Sequence, residues 1–228
     1  MEQAFLPEPL NVFILRRAVP TLMGLAPLSC RPMHQALIEI AGGRGPAYLG
    51  DKDSTVRRLA VSACVALLCQ PEVRAGLAER AGQDPDERVR AEAIEALGGH
   101  AEGWAPVWQQ RDDRSAIVRE AVATAFGELR RSEAVPWLIA ATGDADLAVA
   151  EAAVAALGAL EDRQALPLLL ALSERARPQV RRRSLVALTA FDDPAAQLAL
   201  QKALDDRNPM VREVAEAALG RGGKTSCC

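Results

Sequence analysis

The chain has 228 residues, a formal net charge of −3 and an isoelectric point near 5.6. Half of its residues are apolar and a quarter charged, ordinary for a soluble fold. The acidic balance argues against a general nucleic-acid binder, whose affinity comes mainly from Lys and Arg neutralising phosphates.

Only 4% of residues are aromatic, and Ala and Leu fill the apolar positions, which suits helices packed closely. Five cysteines form no spaced framework, as expected in a reducing compartment. Met1-Glu2 carries no basic leader, and the apolar run from Val12 to Leu15 is too short for a secretory core or a membrane span. The expected location is cytoplasmic, with no transmembrane segment.

Residues 1–29 stand outside the pattern that follows. Leu6, Leu10, Val12, Phe13, Ile14 and Leu15 are punctuated by Pro7, Pro9 and Pro20. They read as short helices capping the first unit of an array, because a terminal unit has an open apolar face; the alternative is a docking segment for a partner or a membrane surface. From residue 30 to 221 one theme recurs: an Asp, four spacers, a Val, usually an Arg, then an apolar helical run. The valines are 56, 89, 118, 149, 180 and 211, at intervals of 33, 29, 31, 31 and 31 residues. Self-similarity at such a period marks stacked repeats that form one unit however long they run.

Each of the six repeats is expected to hold a first helix, a turn with the Asp, and a second helix starting near the Val. The spacing predicts first helices near 31–42, 71–82, 102–110, 132–142, 163–174 and 194–204. Pro106, Pro136 and Pro167 fall near three of their starts, where a missing N–H costs nothing. It predicts second helices near 54–69, 86–98, 115–130, 146–160, 178–191 and 209–220, with apolar residues at Val, Val+4, Val+8 and Val+11 on one face. Gly98, Gly127, Gly158 and Gly220 all sit nine residues after the Val, as C-caps or points of close helix approach. Residues 222–228 read as a flexible tail with nothing to bury.

The run "DPDERVRAEAIEALG" (84–98) and its copies "DRNPMVREVAEAALG" (206–220) and "DADLAVAEAAVAALG" (144–158) resemble the HEAT repeat in its short PBS-lyase HEAT-like form. The resemblance implies an all-α fold, an α-solenoid superhelix of about six helical hairpins. For function it implies a general-purpose scaffold. The form takes its name from subunits that attach bilins to phycobiliproteins, so a bilin-lyase-like or chaperone role on a phycobiliprotein is the alternative. Metal-hydroxylase relatives of this repeat class carry paired His-Glu ligands. Here His34 and His100 are the only histidines and form no such pair; no cofactor and no metal is expected.

A half-buried Arg calls for a carboxylate that matches its planar fork. Repeat four has Ala150 in place of Arg, and repeat five has Arg175 in place of Asp. If each Arg pairs with the Asp of the next repeat, these two losses are a single missing rung. The expected structural ladder is then Arg57 with Asp84, Arg90 with Asp113, Arg119 with Asp144 and Arg181 with Asp206.

The second helices are expected to line a concave side that binds a partner protein, with Arg58, Glu95, Glu120, Glu151, Arg182 and Glu213 facing outward. Arg175, Arg177, Arg181, Arg182 and Arg183 crowd repeat five. They read either as a solvated helix start or as a site for an acidic surface or a phosphate-bearing group, nucleic acid included. Cys64 and Cys69 read as core filler, as does Cys30, and Trp104, Trp108 and Trp137 as packing between helices. Cys227-Cys228 reads as an accidental or reactive tail, or as a prenylation signal that would add a lipid anchor. No residue is identified as catalytic, and the leading expectation is a non-catalytic adaptor.

Overall fold

The computed structural model describes residues 39–220. The N-terminal capping segment, most of the first expected helix, Cys30, His34 and the 222–228 tail with its two cysteines lie outside the described residues. Within them the chain is all-α. After a short π- and 3-10-helical entry (Ile40–Arg44, Gly45–Tyr48) come α1 (Ser54–Cys64), α2 (Pro71–Gln83), α3 (Glu87–Gly98), α4 (Trp104–Gln109), α5 (Ala116–Leu129) and α6 (Val135–Ala141). They are followed by α7 (Leu147–Leu160), α8 (Leu166–Arg175), α9 (Pro178–Leu188), α10 (Pro194–Lys202) and α11 (Pro209–Ala218).

The residues divide into two compact units between Asp112 and Asp113. The first contains α1, the hairpin α2–α3, and α4. The second contains α5 and the hairpins α6–α7, α8–α9 and α10–α11. In each unit a second helix packs on its hairpin mate and on the second helix of the next repeat: α3 contacts α1 and α2, while α7 contacts α5, α6 and α9. This is the arrangement of an α-solenoid built from HEAT-like hairpins.

The repeat valines are the centre of each layer. Val56, Val89, Val118, Val149, Val180 and Val211 are all buried, as are Ala60 and Cys64, Ala93 and Leu97, Val122 and Phe126, and Ala153 and Leu157 behind them. Each fully buried Leu or Phe contributes roughly 1.5–3 kcal/mol relative to leaving it exposed. Ser184 occupies a core position of α9, and its Oγ donates back to the Val180 carbonyl at 2.8 Å, so this buried hydroxyl is paired.

The structure corrects some details. The second helix of repeat one ends at Cys64 and continues as a 3-10 turn over Val65–Leu67; Cys64 is core, but Cys69, beyond the turn, is exposed. Burial pushes the Cys64 thiol up to about 11. Gly127 and Gly158 are inside helices at close approaches, whereas α5 and α7 end on Arg130 and Glu161 in the left-handed region (φ 50° and 55°). No helix among the described residues is long and apolar enough to cross a membrane.

Candidate functional site

The turns before α1, α3, α7 and α11 are each built by two polar residues rather than one. Asp53, Asp86 and Asp146 are N-caps, their carboxylates accepting the first free backbone N–H groups of α1, α3 and α7. The repeat Asp stands two residues earlier. Asp51, Asp84, Asp113, Asp144 and Asp206 each accept the backbone N–H two residues on, at 2.7–3.0 Å, in an Asx turn. That turn leaves the rest of the carboxylate facing the preceding repeat.

Into it come the arginines. Arg57 donates through Nε and Nη2 to the two oxygens of Asp84, both at 2.7 Å. Arg119 does the same to Asp144 at 2.8 and 3.0 Å, and Arg181 to Asp206 at 2.9 and 2.7 Å. The third donor, Nη1, turns to the chain's own repeat. Arg57, Arg90, Arg119 and Arg212 each donate to the carbonyl of the Asp six residues before, at 2.7–2.9 Å. Arg181 donates instead to the Ala176 carbonyl at 2.9 Å, in the repeat where Arg175 stands in place of the Asp. One guanidinium thus ties its own turn to the next. The fourth expected pair, Arg90 and Asp113, has its members in different units. Ala150, in place of the missing Arg, is buried in α7, and Arg175 is exposed at the end of α8. The Arg119 guanidinium holds the Asp144 carboxyl below the usual carboxylate range, and Arg181 does the same for Asp206.

The outward positions of the second helices fall into different settings. Arg58 donates to Glu92 at 3.0 Å, and Ser62 Oγ donates to the other Glu92 oxygen. Glu95 and Glu213 are exposed, Glu95 with a partner; Arg182 is half-buried. Glu120 and Glu151 meet at a groove of about 520 Å³ in the second unit, formed over α5, α7 and α9. Its floor is methyl groups, chiefly Ala148, Ala152, Ala155 and Ala159 of α7. Glu128, Arg130 and Arg183 complete its charged lining. The sequence reading passed over Glu128, Arg130 and the alanines. The signal was present, since residues 148, 152, 155 and 159 fall on one helical stripe, but small residues on a helix equally describe core packing.

The five arginines of repeat five differ in their settings. Arg181 is 1% exposed and engaged with Asp206, while Arg175 and Arg177 are exposed and Arg182 and Arg183 half-buried. Among the described residues no group of His, Cys, Asp or Glu is placed to hold a metal ion. His100 caps a 3-10 turn, its Nδ1 accepting from the Glu102 N–H at 3.3 Å. Trp104 and Trp108 lie 5.1 Å apart with Arg111 over the Trp108 ring, and Trp137 meets Phe126 edge-on at 5.5 Å.

The family model for HEAT repeats matches residues 46–98 and 105–177. No curated protein matches the sequence. Among solved structures, the complex of CpcE and CpcF of phycocyanin lyase from Nostoc sp. PCC7120 is similar with a TM-score of 0.60 and 23% identity, covering 77% of this chain and 74% of that one. The E. coli protein YibA is similar at 0.62 and 15% identity, covering 96% and 77%. A designed armadillo repeat protein in complex with the peptide (KR)4 is similar at 0.58 and 18% identity, covering 79% and 99%. At these identities the likeness is one of fold.

Proposed function

The chain belongs to the HEAT repeat family, and from that premise we propose that it is a non-catalytic scaffold that binds a partner protein on the outward face of its second helices. The observation that carries this reading is the groove over α5, α7 and α9. Its alanine floor lets a partner backbone come close, and its rim is charged. Stacked hairpins present such surfaces because each repeat spends its apolar face on its neighbours and leaves the opposite face of every second helix to solvent. The designed armadillo protein of similar fold, which holds a peptide, supports the same use of stacked helices. Interaction through a groove also fits the arrangement of the buried charges, which are occupied in holding repeats together.

Affinity purification of the full chain from its native cells tests this. The expected result is one protein recovered at stoichiometric yield and lost from Ala152→Arg, which fills the groove floor. Recovery undiminished by that substitution would place the binding surface elsewhere.

A second reading, a subunit acting with a heterologous partner on a phycobiliprotein, is favoured by the fold likeness to CpcE and CpcF. It requires the recovered partner to be a phycobiliprotein or a second lyase subunit, and bilin absorbance to appear on the acceptor only when the chain is co-expressed.

A further inference from the structure

The two units treat equivalent charges differently. In the first, Arg58 lies two residues after its repeat valine and pairs with Glu92, three residues after the next valine, at 3.0 Å. Between α7 and α9 of the second unit the same two positions are Glu151, after Val149, and Arg183, after Val180. The charges are again opposite, but Glu151 and Arg183 are not joined. Arg183 Nε is enclosed and has no hydrogen-bond partner among the described residues. An enclosed donor without an acceptor is costly, on the order of 1–3 kcal/mol.

Both residues line the groove, together with Glu120 and Glu128, which likewise pair with no described residue. Glu120, Thr124 and Glu128 are four residues apart on α5 and so form one wall about 12 Å long, at 1.5 Å rise per residue. Opposite them is the methyl floor of α7. The lining is three carboxylates against the two guanidinium groups of Arg130 and Arg183, a net charge of 2 − 3 = −1.

Resting on the scaffold reading above, we propose that the occupant of this groove is an extended segment of the partner protein carrying Lys or Arg at alternate positions. In a strand, residues four apart on one side lie about 13 Å from each other, close to the separation of Glu120 and Glu128. The methylene stems of such side chains lie well on an alanine floor while their charged heads reach the carboxylates. An acidic segment would meet three carboxylates in the same space.

Fluorescence anisotropy of the full chain with two labelled peptides, alternating Lys-Ser and alternating Glu-Ser, tests this at low ionic strength. The expected result is binding of the Lys peptide only, weakened by added salt. The double variant Glu120→Gln/Glu151→Gln should weaken it by about tenfold or more, and Glu133→Gln, exposed before α6, should not change it. Circular dichroism of each variant checks folding, and the salt titration of the unaltered chain is a measure independent of the variants. Binding of the Glu peptide in place of the Lys peptide, or undiminished binding by the folded double variant, overturns the assignment of a basic segment while leaving the scaffold reading intact. Absence of binding by either peptide also overturns it; if partner recovery from native cells fails as well, the scaffold reading falls with it.

Discussion

Arg181 shows at the scale of one side chain what the repeat charge does. The residue is 1% exposed, and its guanidinium satisfies the Asp206 carboxylate twice and the Ala176 carbonyl once. Arg181→Ala would leave Asp206 without its counter-charge, and removing one member of a buried pair costs roughly 3–5 kcal/mol. The expected outcome is a loss near the lower end, since the Asp206 side chain keeps 14% exposure. Urea denaturation checks it, and Arg181→Lys should recover only part, because an ammonium offers no planar fork. The same pairing sets a pH dependence. Asp144 and Asp206 titrate below the usual carboxylate range because Arg119 and Arg181 hydrogen-bond the charged form. A carboxyl with a lowered folded pKa contributes stability that is complete above the unfolded value near 3.9 and is lost as pH falls through the folded one. Asp144→Asn/Asp206→Asn should therefore be less stable than the natural chain at neutral pH, with the difference shrinking below about pH 4; denaturation midpoints across that range measure it. The pairing partner was legible because the exceptions, Ala150 and Arg175, cancel only when Arg reaches to the next repeat. The Asx turn and the Nη1 contact to the repeat's own carbonyl were not legible, since they depend on where the turn places a backbone oxygen.

At the scale of the helix, the starts of the second helices were read more surely than their ends. Starts carry polar caps and prolines, such as Asp146 before α7 and Pro178, Pro194 and Pro209 at the openings of α9, α10 and α11. The glycines nine residues after the valine carried two meanings that sequence alone did not separate. Gly158 turns out to be a packing residue: a Cβ there would stand 2.7 Å from Ala187 Cβ and 2.8 Å from Ala187 Cα. The neighbour is backbone, which does not swing aside. At an open helical site Gly→Ala stabilises by roughly 0.5–1 kcal/mol, but Gly158→Ala should destabilise by about 1–3 kcal/mol as α7 and α9 are pushed apart. A raised melting temperature for that variant would contradict the close approach. The helix ends fall instead on Arg130 and Glu161, whose left-handed backbone has no signature in residues that are more often helical.

At the scale of the whole chain, stability in a repeat array is close to a sum of repeat terms and nearest-neighbour terms. Arg181→Ala should then speed amide hydrogen exchange in α9 to α11 while leaving α1 to α3 at their original rates; uniform acceleration across both groups would show a single cooperative block. The 31-residue period, the amphipathic second helices and the Asp–Arg theme were all determined by the sequence, because a repeat must solve the same packing problem each time and so repeats the same residues. The groove was decided only in three dimensions. Its floor and rim come from three helices of successive repeats, and whether Glu151 meets Arg183 depends on how far α9 is set from α7, a distance that no periodicity encodes.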